Sequence, residues 1–471
     1  MADRYGLSPE QTDVFLPRFG EKNRGQTESQ ITEGLPETLG VLIDPEAYKK
    51  RMKGVYDKFT RSRQNPEGCP DIDYKGPHKF KKLLAWLEGK YQTQSGNQYS
   101  QANLESGLEY PEGQVPLGSP FYIERPPIES ICDRAILKPG ALLRIKAPKQ
   151  MGKTSLMARV MERAAKENCQ TVYLDMAAID LPALSNIDKF LRCFCLIVGR
   201  QLKLENQLDE YWDEELLSSS NNCTAYFEEY LFSEIEGDLV LGLDEVDRLF
   251  SYPAVAEDFL AMLRSWHEKA KNKSVWKRSR LIVAHATEVY IDLDVNQSPF
   301  NVGVPIELLD FAPEQVQDLA RRHGLEPSQC PVEKLMAMVG GHPGLVRLAL
   351  YEIAIANATL EQILQDAPTE AGIYRHHLRR HLETLQKNPL LAEALKQVID
   401  SPEPVKLDPI QIYKLHSMGL VERQHDRALP RCNLYREYFG NIEQSARERS
   451  AVSGQLESGQ RSAVSIQSAF S

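Results

Sequence analysis

Apolar and polar positions along the 471-residue chain follow different rhythms in different stretches. From 116 to about 310, short β-rich apolar runs (ALLRIKA, TVYLDM, LVLGLDE and RLIVAH) alternate with longer stretches of helical period. Strands separated by helices predict an α/β domain, a mostly parallel sheet with helices on both faces. From 311 to 440 strand signals nearly vanish, and PEQVQDLARRHG, PVEKLMAMVGG and PGLVRLALYEIA carry helical periods bounded by Pro and Gly. Residues 8–60 are also helical in rhythm, and 78–91 add a segment with Phe80, Leu83, Leu84 and Leu87 on one face. The expectation is a small all-α domain over 1–91. The stretch 92–115, rich in Gln, Ser, Gly and Asn, cannot nucleate a core and is expected to be a flexible linker. By the same reasoning 443–471 is expected to be a disordered tail.

Composition changes this picture little. An apolar content of 42% and a charged content of 26% suit a chain that folds over most of its length, and the length suits two or three domains. A formal net charge of -10 argues against coating nucleic acid or an anionic membrane over the whole surface, while leaving room for a local basic face. No apolar run approaches the roughly 18 residues of a spanning helix, and MADRYGLSPEQ lacks the series of an export signal. A soluble, cytoplasmic protein with no membrane contact is expected. The 8 cysteines are scattered without a C-x-x-C pair, so reduced, mostly buried thiols are expected. The 10 histidines show no metal spacing and no Ser or Cys has a nucleophile context, which excludes recognisable protease, nuclease and deaminase sites.

The chemistry concentrates at KAPKQMGKTSLM. Gly152, Lys153 and Thr154 complete the end of G-x-x-x-x-G-K-[ST], but Ala147 stands where that pattern begins with glycine. Alanine is tolerable there if its φ is negative. ALLRIK before the loop reads as a buried strand, and TSLMARVMERAA after it as a helix with Leu156, Val160 and Met161 on one face. Such a strand, loop and helix aims backbone N–H groups and the positive helix end at an anion. LVLGLDE, expected to be a strand beside the loop strand, ends in Asp244 and Glu245. Asp244 would hold Mg²⁺ beside Thr154, and Glu245 would polarise an attacking water. A third strand, RLIVAH, ends near His285 and Thr287, where a polar side chain could sense a terminal phosphate. Arg278 and Arg280 precede it and are candidates for an arginine supplied to a neighbouring copy.

SPFYIERPPIES, the APKQMGKTSLM loop, NIDKFLRCFC, LDEVDRLF, QSPFNVGVPIELLDF and GGHPGLVRLAL, in this order, resemble the bacterial AAA-like family over roughly 116–440. That family belongs to the STAND class of P-loop ATPases, signal-transduction ATPases with numerous domains, where alanine at the head of the loop is usual. The resemblance implies a P-loop NTPase domain at 116–310, a helical lid at 311–370 and a winged-helix-like domain at 371–442. It implies ATP or ADP with Mg²⁺ as ligands, held by Ala147, Pro148, Lys149, Gln150, Met151, Gly152, Lys153, Thr154 and Ser155. Lys153 and Glu245 would be catalytic, and Thr154 and Asp244 would bind the metal. Phe121, Tyr122, Ile123 and Arg125 are the implied base contacts, with Pro343 of GGHPG packing on adenine. In the last domain, IYKLHS and a turn at Gly419 would lead into a hairpin of LVER and CNLY. The class works as a switch: ADP holds a closed monomer, and ATP opens it for assembly into a homo-oligomer.

The first 60 residues resemble the helix-turn-helix units of LuxR-like regulators, with PEAYKKRMKGVYDKFTRSR as the last helix. Lys49, Lys50, Arg51, Lys53, Lys58, Arg61 and Arg63 are offset there only by Glu46 and Asp57. A basic helix over 45–63 suits DNA phosphates or an effector protein, with Met52, Val55 and Phe59 as its core side. Two readings follow: an ATP-dependent signalling switch, or a DNA-loading ATPase that grips DNA with its winged helix. A nucleotide-binding scaffold that does not turn over is a third.

Overall fold

A computed structural model describes residues 45–59, 83, 108–287 and 301–441. The chain divides into two compact units, Met1–Leu108 and Glu109–Ser471. In the first, helix α1 (Pro45–Phe59) forms where the basic helix was expected. Met52, Val55 and Phe59 are buried along one stripe, while Lys50, Lys53 and Lys58 are exposed. Leu83 is helical and buried. The two preceding helices of the expected helix-turn-helix unit, residues 61–63 of the basic stretch, the linker to 107 and the tail from 442 lie outside the described residues.

The second unit is built on a five-stranded parallel sheet, β1 (Leu142–Ala147), β2 (Gln170–Asp175), β3 (Leu239–Asp244), β4 (Ser279–Ala286) and β5 (Val304–Glu307), in the order β2-β3-β4-β1-β5. The inner strands β3 and β4 bury both faces, which is why they read as apolar runs, while the edge strands β2 and β5 alternate in burial. Leu239, Leu241 and Leu243 of β3 point to one core with Leu281 and Val283, and Val240 points to the other with Ile282 and Ala284. Against that second core lie α2 (Ile128–Ile136) and α3 (Lys153–Lys166). The first core is covered by α4 (Ile187–Gln201), capped by the Asn186 side chain at 2.8 Å, and by α5 (Pro253–Lys269). Gly242 in β3 admits α3 closely, because a Cβ there would lie 2.5 Å from Sδ of Met161. Cys193 and Cys195 fall in α4, and the described cysteines are all free thiols.

One expectation about the sheet is corrected. β3 does not neighbour the loop strand β1; β4 lies between them, paired in parallel with both. The apolar runs LVLGLD and RLIVA are both buried on two faces, and the two inner positions beside β1 and β2 are what that burial requires.

Beyond β5 come the lid helices α6 (Pro313–Arg322), α7 (Val332–Val339), α8 (Pro343–Ala354) and α9 (Leu360–Asp366). Next are α10 (Arg375–Gln386), α11 (Pro389–Asp400), β6 (Val405–Lys406), α12 (Pro409–Ser417), β7 (Val421–Gln424), β8 (Arg427–Pro430) and a helix over 433–441. The last three strands form a small antiparallel sheet in the order β6-β8-β7. The expected hairpin exists, but its second strand is RALP and not CNLY. The chain reverses over His425 and Asp426, with His425 at φ 59, so pairing starts at Gln424 and Arg427 and uses up RALP. Asn433 to Tyr435 already belong to the closing helix.

Glu109 and Val115, inside the stretch read as linker, are tied to the domain. The Val115 N–H donates to the Ser155 hydroxyl (2.9 Å), and Glu109 pairs with the buried Arg347 at 3.3 Å.

The junction between β5 and α8 is tight. Gly341 accepts the Phe311 N–H at 2.7 Å, and a Cβ on Gly341 would meet the Phe311 carbonyl oxygen at 2.1 Å. Gly341→Ala should therefore lower stability by roughly 1–3 kcal/mol, the usual cost of overpacking against backbone. Gly118→Ala, with nothing within 4 Å of its Cβ, is the control expected to melt like the parent in a thermal unfolding series.

Candidate nucleotide site

The loop begins inside the sheet. Ala147 is the last residue of β1, paired with Ala286 of β4, and is not among the positive-φ positions, so no glycine is needed there. Left-handed backbone appears later, at Gln150 (φ 61) and at Gly152 (φ 92), which opens α3. Arg125 supports the loop from below: its Nη1 donates to the Met151 carbonyl at 2.8 Å, and its Nη2 would lie 3.2 Å from a Cβ on Gly152. Nζ of Lys153 donates to the carbonyls of Ala147 (3.1 Å) and Pro148 (2.9 Å), which holds its charge over the curve of the loop. The α3 N-terminus, a left-handed Gly and this ammonium together make an anion cradle.

The acidic pair closes the site. The Thr154 hydroxyl donates to Oδ2 of Asp244 at 2.5 Å, and the same oxygen accepts from the Tyr173 hydroxyl at 3.1 Å. Oδ1 of Asp244 accepts the Glu245 N–H at 2.9 Å. A hydroxyl and a carboxylate converging in this way are hard oxygen donors suited to Mg²⁺. Among the described residues there is no group of three or more His, Cys, Asp or Glu that could hold a metal ion. Glu245 turns out of β3 at φ 49. Burial pushes its carboxyl above the ordinary carboxylate range; Asp247 adds to the rise and Lys149 opposes it. Asp247, two residues on, accepts the Ala286 N–H at 2.6 Å and so fixes the end of β4 against the acidic turn.

The other expected site residues are placed as follows. Phe121 and Ile123 are buried, and the Phe121 ring lies 4.4 Å from that of His323 and 5.5 Å from the Arg347 guanidinium on α8. Pro343 opens α8, one turn before Arg347, and is buried. Tyr122 is covered by the Arg159 guanidinium at 3.6 Å, and its hydroxyl donates to Glu129 at 2.9 Å. Arg125, read as a base contact, instead grips the Met151 carbonyl, because its buried guanidinium needs an acceptor and the loop offers one. The Ser155 hydroxyl faces Val115. Thr287, read as a phosphate sensor, has its hydroxyl engaged by the Ser417 carbonyl at 2.5 Å, tying β4 to α12. His285, the other polar residue at this strand end, is held neutral by burial, its pKa pushed down to about 4. Both candidate arginines are committed within the chain. Arg278 donates to the carbonyls of Phe232, Ile235 and Gly237, and Arg280 pairs with Asp238 at 2.8 Å.

The profile of the AAA-like domain family matches residues 110–441. The chain belongs to the AAA-like domain family. Among curated proteins, an uncharacterized WD repeat-containing protein of Synechocystis is 24% identical over 284 residues, which are 58% of this chain. This AAA-like chain spans 23% of that relative's length. Among solved structures, a Walker-type ATPase of Pyrococcus abyssi superposes with a TM-score of 0.48 at 12% identity, covering 68% of this chain and 96% of that one. The ORC2 protein of Aeropyrum pernix, solved as ADPNP-ADP complexes, gives 0.42 at 18% identity, covering 68% and 94%. No described helix of this AAA-like protein is long and apolar enough to cross a membrane.

Sequence reasoning missed Tyr173 and Asp247. Asp247 was within reach, because D-E-V-D places a third carboxylate one turn from the pair. Tyr173 had no local signal; only the pairing of β2 with β3 brings its hydroxyl to Asp244.

If Glu245 activates water, Glu245→Gln should retain nucleotide while slowing ATP hydrolysis by about 10²–10⁴-fold. The parent's rate should fall as pH drops through the raised Glu245 pKa, since only the ionised carboxylate accepts a proton. A phosphate-release profile on the acid side, with the limb absent from residual Glu245→Gln activity, checks both.

Proposed function

We propose that this protein is an ATP-binding, slowly hydrolysing switch of the STAND kind, whose amino-terminal domain binds DNA or an effector protein. One observation carries the reading: the lid and the carboxy-terminal elements rest on the phosphate loop itself. A Cβ on Gly344 of α8 would lie 2.8 Å from Cβ of Gln150, and one on Gly419 would lie 3.0 Å from Cγ of Pro148. Any rearrangement of the loop is therefore felt by both outer elements, as a nucleotide-gated switch requires.

In this reading Lys153 and the loop amides bind the β and γ phosphates. Mg²⁺, bound with the nucleotide, would neutralise charge at the transferring phosphoryl group. Thr154 and Asp244 are the side chains that would hold it, with the Tyr173 hydroxyl orienting the carboxylate. Glu245 accepts the proton of the attacking water, and Lys149 beside it opposes the rise in its pKa that burial causes. Phe121, Ile123 and Pro343 line the adenine side. The DNA-loading reading draws no support from Arg278 and Arg280, which are engaged within the chain by the carbonyls of Phe232, Ile235 and Gly237 and by Asp238. The exposed Lys50, Lys53 and Lys58 of α1 support a contact with phosphates or with an acidic partner.

Lys153→Ala should abolish retention of a fluorescent ADP analogue, because it removes the ammonium held over the loop; unchanged affinity would sink the assignment. Light scattering on protein loaded with ADP and then with a non-hydrolysable ATP analogue tests the switch. A monomer with ADP that becomes a larger assembly with the analogue is the expected result, and one mass in both states would contradict it.

A further inference from the structure

Behind the loop, three histidines and a tyrosine meet: His342 at the start of α8, His377 and His381 of α10, and Tyr435 of the closing helix. The His377 ring lies 5.3 Å from His342, 4.7 Å from His381 and 5.9 Å from Tyr435, and all four side chains are buried. His377 is the hub. Its Nδ1 lies 3.1 Å from Oε1 of Gln150 in the phosphate loop, and its Nε2 lies 2.8 Å from the Tyr435 hydroxyl.

We propose that His377 is a positioning residue that holds Gln150 of the phosphate loop and, through Tyr435, passes the state of the loop to the closing helix at 433–441. Gln150 adopts a left-handed backbone without being glycine, a conformation that persists only where its surroundings over-determine it. Gly344 presses on it from α8, and His377 holds its side chain from α10. Burial keeps the imidazole neutral, far below its ordinary pKa, with His381, His342 and Arg380 adding to the effect. It therefore carries one proton. Nδ1 faces both the Gln150 carboxamide and, at 3.3 Å, Nη2 of Arg380, which can only donate, while Nε2 meets the Tyr435 hydroxyl, so both ring nitrogens are engaged. Gln150 itself is solvent-exposed, but His377 and Tyr435 are buried, so a shift of Gln150 must either move the ring or change the polar partners of a buried ring nitrogen. The loop, α10 and the closing helix consequently move as a set.

The proposal rests on the nucleotide-binding reading, and its test separates the two. Hydrogen exchange would be followed over 148–152 and 433–441 of the full chain, with and without ADP, for the parent, Tyr435→Phe and His377→Ala. Tyr435→Phe removes a single hydroxyl, so it keeps the fold even if His377→Ala does not. In the parent, ADP is expected to change protection at 433–441; in Tyr435→Phe that change should fall by at least half while ADP still binds. Without ADP, Tyr435→Phe should raise exchange at 148–152. A parental ADP response in Tyr435→Phe, no response at 433–441 in the parent, or faster exchange confined to 433–441 and equal with and without ADP would each overturn the proposal. Should the parent bind no ADP, the nucleotide reading fails by itself, and exchange at 148–152 in Tyr435→Phe still decides whether His377 holds the loop.

Discussion

Two strand spacings, about 10 Å, separate the end of β1 from the end of β3, because β4 is inserted between them. The molecule bridges that gap with one hydrogen bond, from Thr154 in the first turn of α3 to Asp244 at the tip of β3. Everything that makes the site a site depends on this closure. It brings the cradle for an anion, built on β1 and α3, to the carboxylates built on β3. Tyr173 from β2 joins at the same carboxylate oxygen, and Asp247 pins the tip of β4. Four parallel strands thus deliver one side chain or one backbone group each to a single edge, which is where ligands of open α/β sheets bind.

The outer elements are organised around the same edge. The segment 109–125 runs from Glu109 on Arg347, past Val115 on Ser155, to Arg125 beneath Met151, so it links lid, helix and loop in turn. On the opposite side, Arg431 after β8 makes a bidentate pair with Asp310 before α6, at 2.8 Å for both nitrogens. The last turn of α12 is held to β4 through Thr287 and Ser417. A loop gripped from below by Arg125 and from above by α8, α10 and the Gly419 turn has few ways to move alone. This is the physical basis for reading the arrangement as a switch.

Much of the fold was legible in the sequence. LVLGLDE and RLIVAH read as strands because burial on both faces leaves little polar alternation, ALLRIK and TVYLDM because short β-rich runs alternate in burial, and α1, α3 and α8 begin near where Pro45, Gly152 and Pro343 punctuate the chain. Gly152, Lys153, Thr154, Asp244 and Glu245 were legible because their chemistry is tied to short spacings in the chain. The hairpin partner was misread, since nothing in CNLY announces that two residues at a turn let RALP pair first. Of the histidine cluster only the pair His377 and His381, four residues apart on one helix, was within reach; His342 and Tyr435 lie too far along the chain to announce themselves.

By itself, the sequence determined the element types and the local strand, loop and helix around the phosphate loop, because those follow from periodicity, capping and backbone preference within a few residues. Only the tertiary structure decided which strand stands between β1 and β3, and that Thr287 faces Ser417, Arg125 faces Met151 and His377 faces Gln150. A buried polar side chain takes the partner that packing brings within about 3 Å, and residues distant in the chain become such partners only when the sheet and its covering helices have closed.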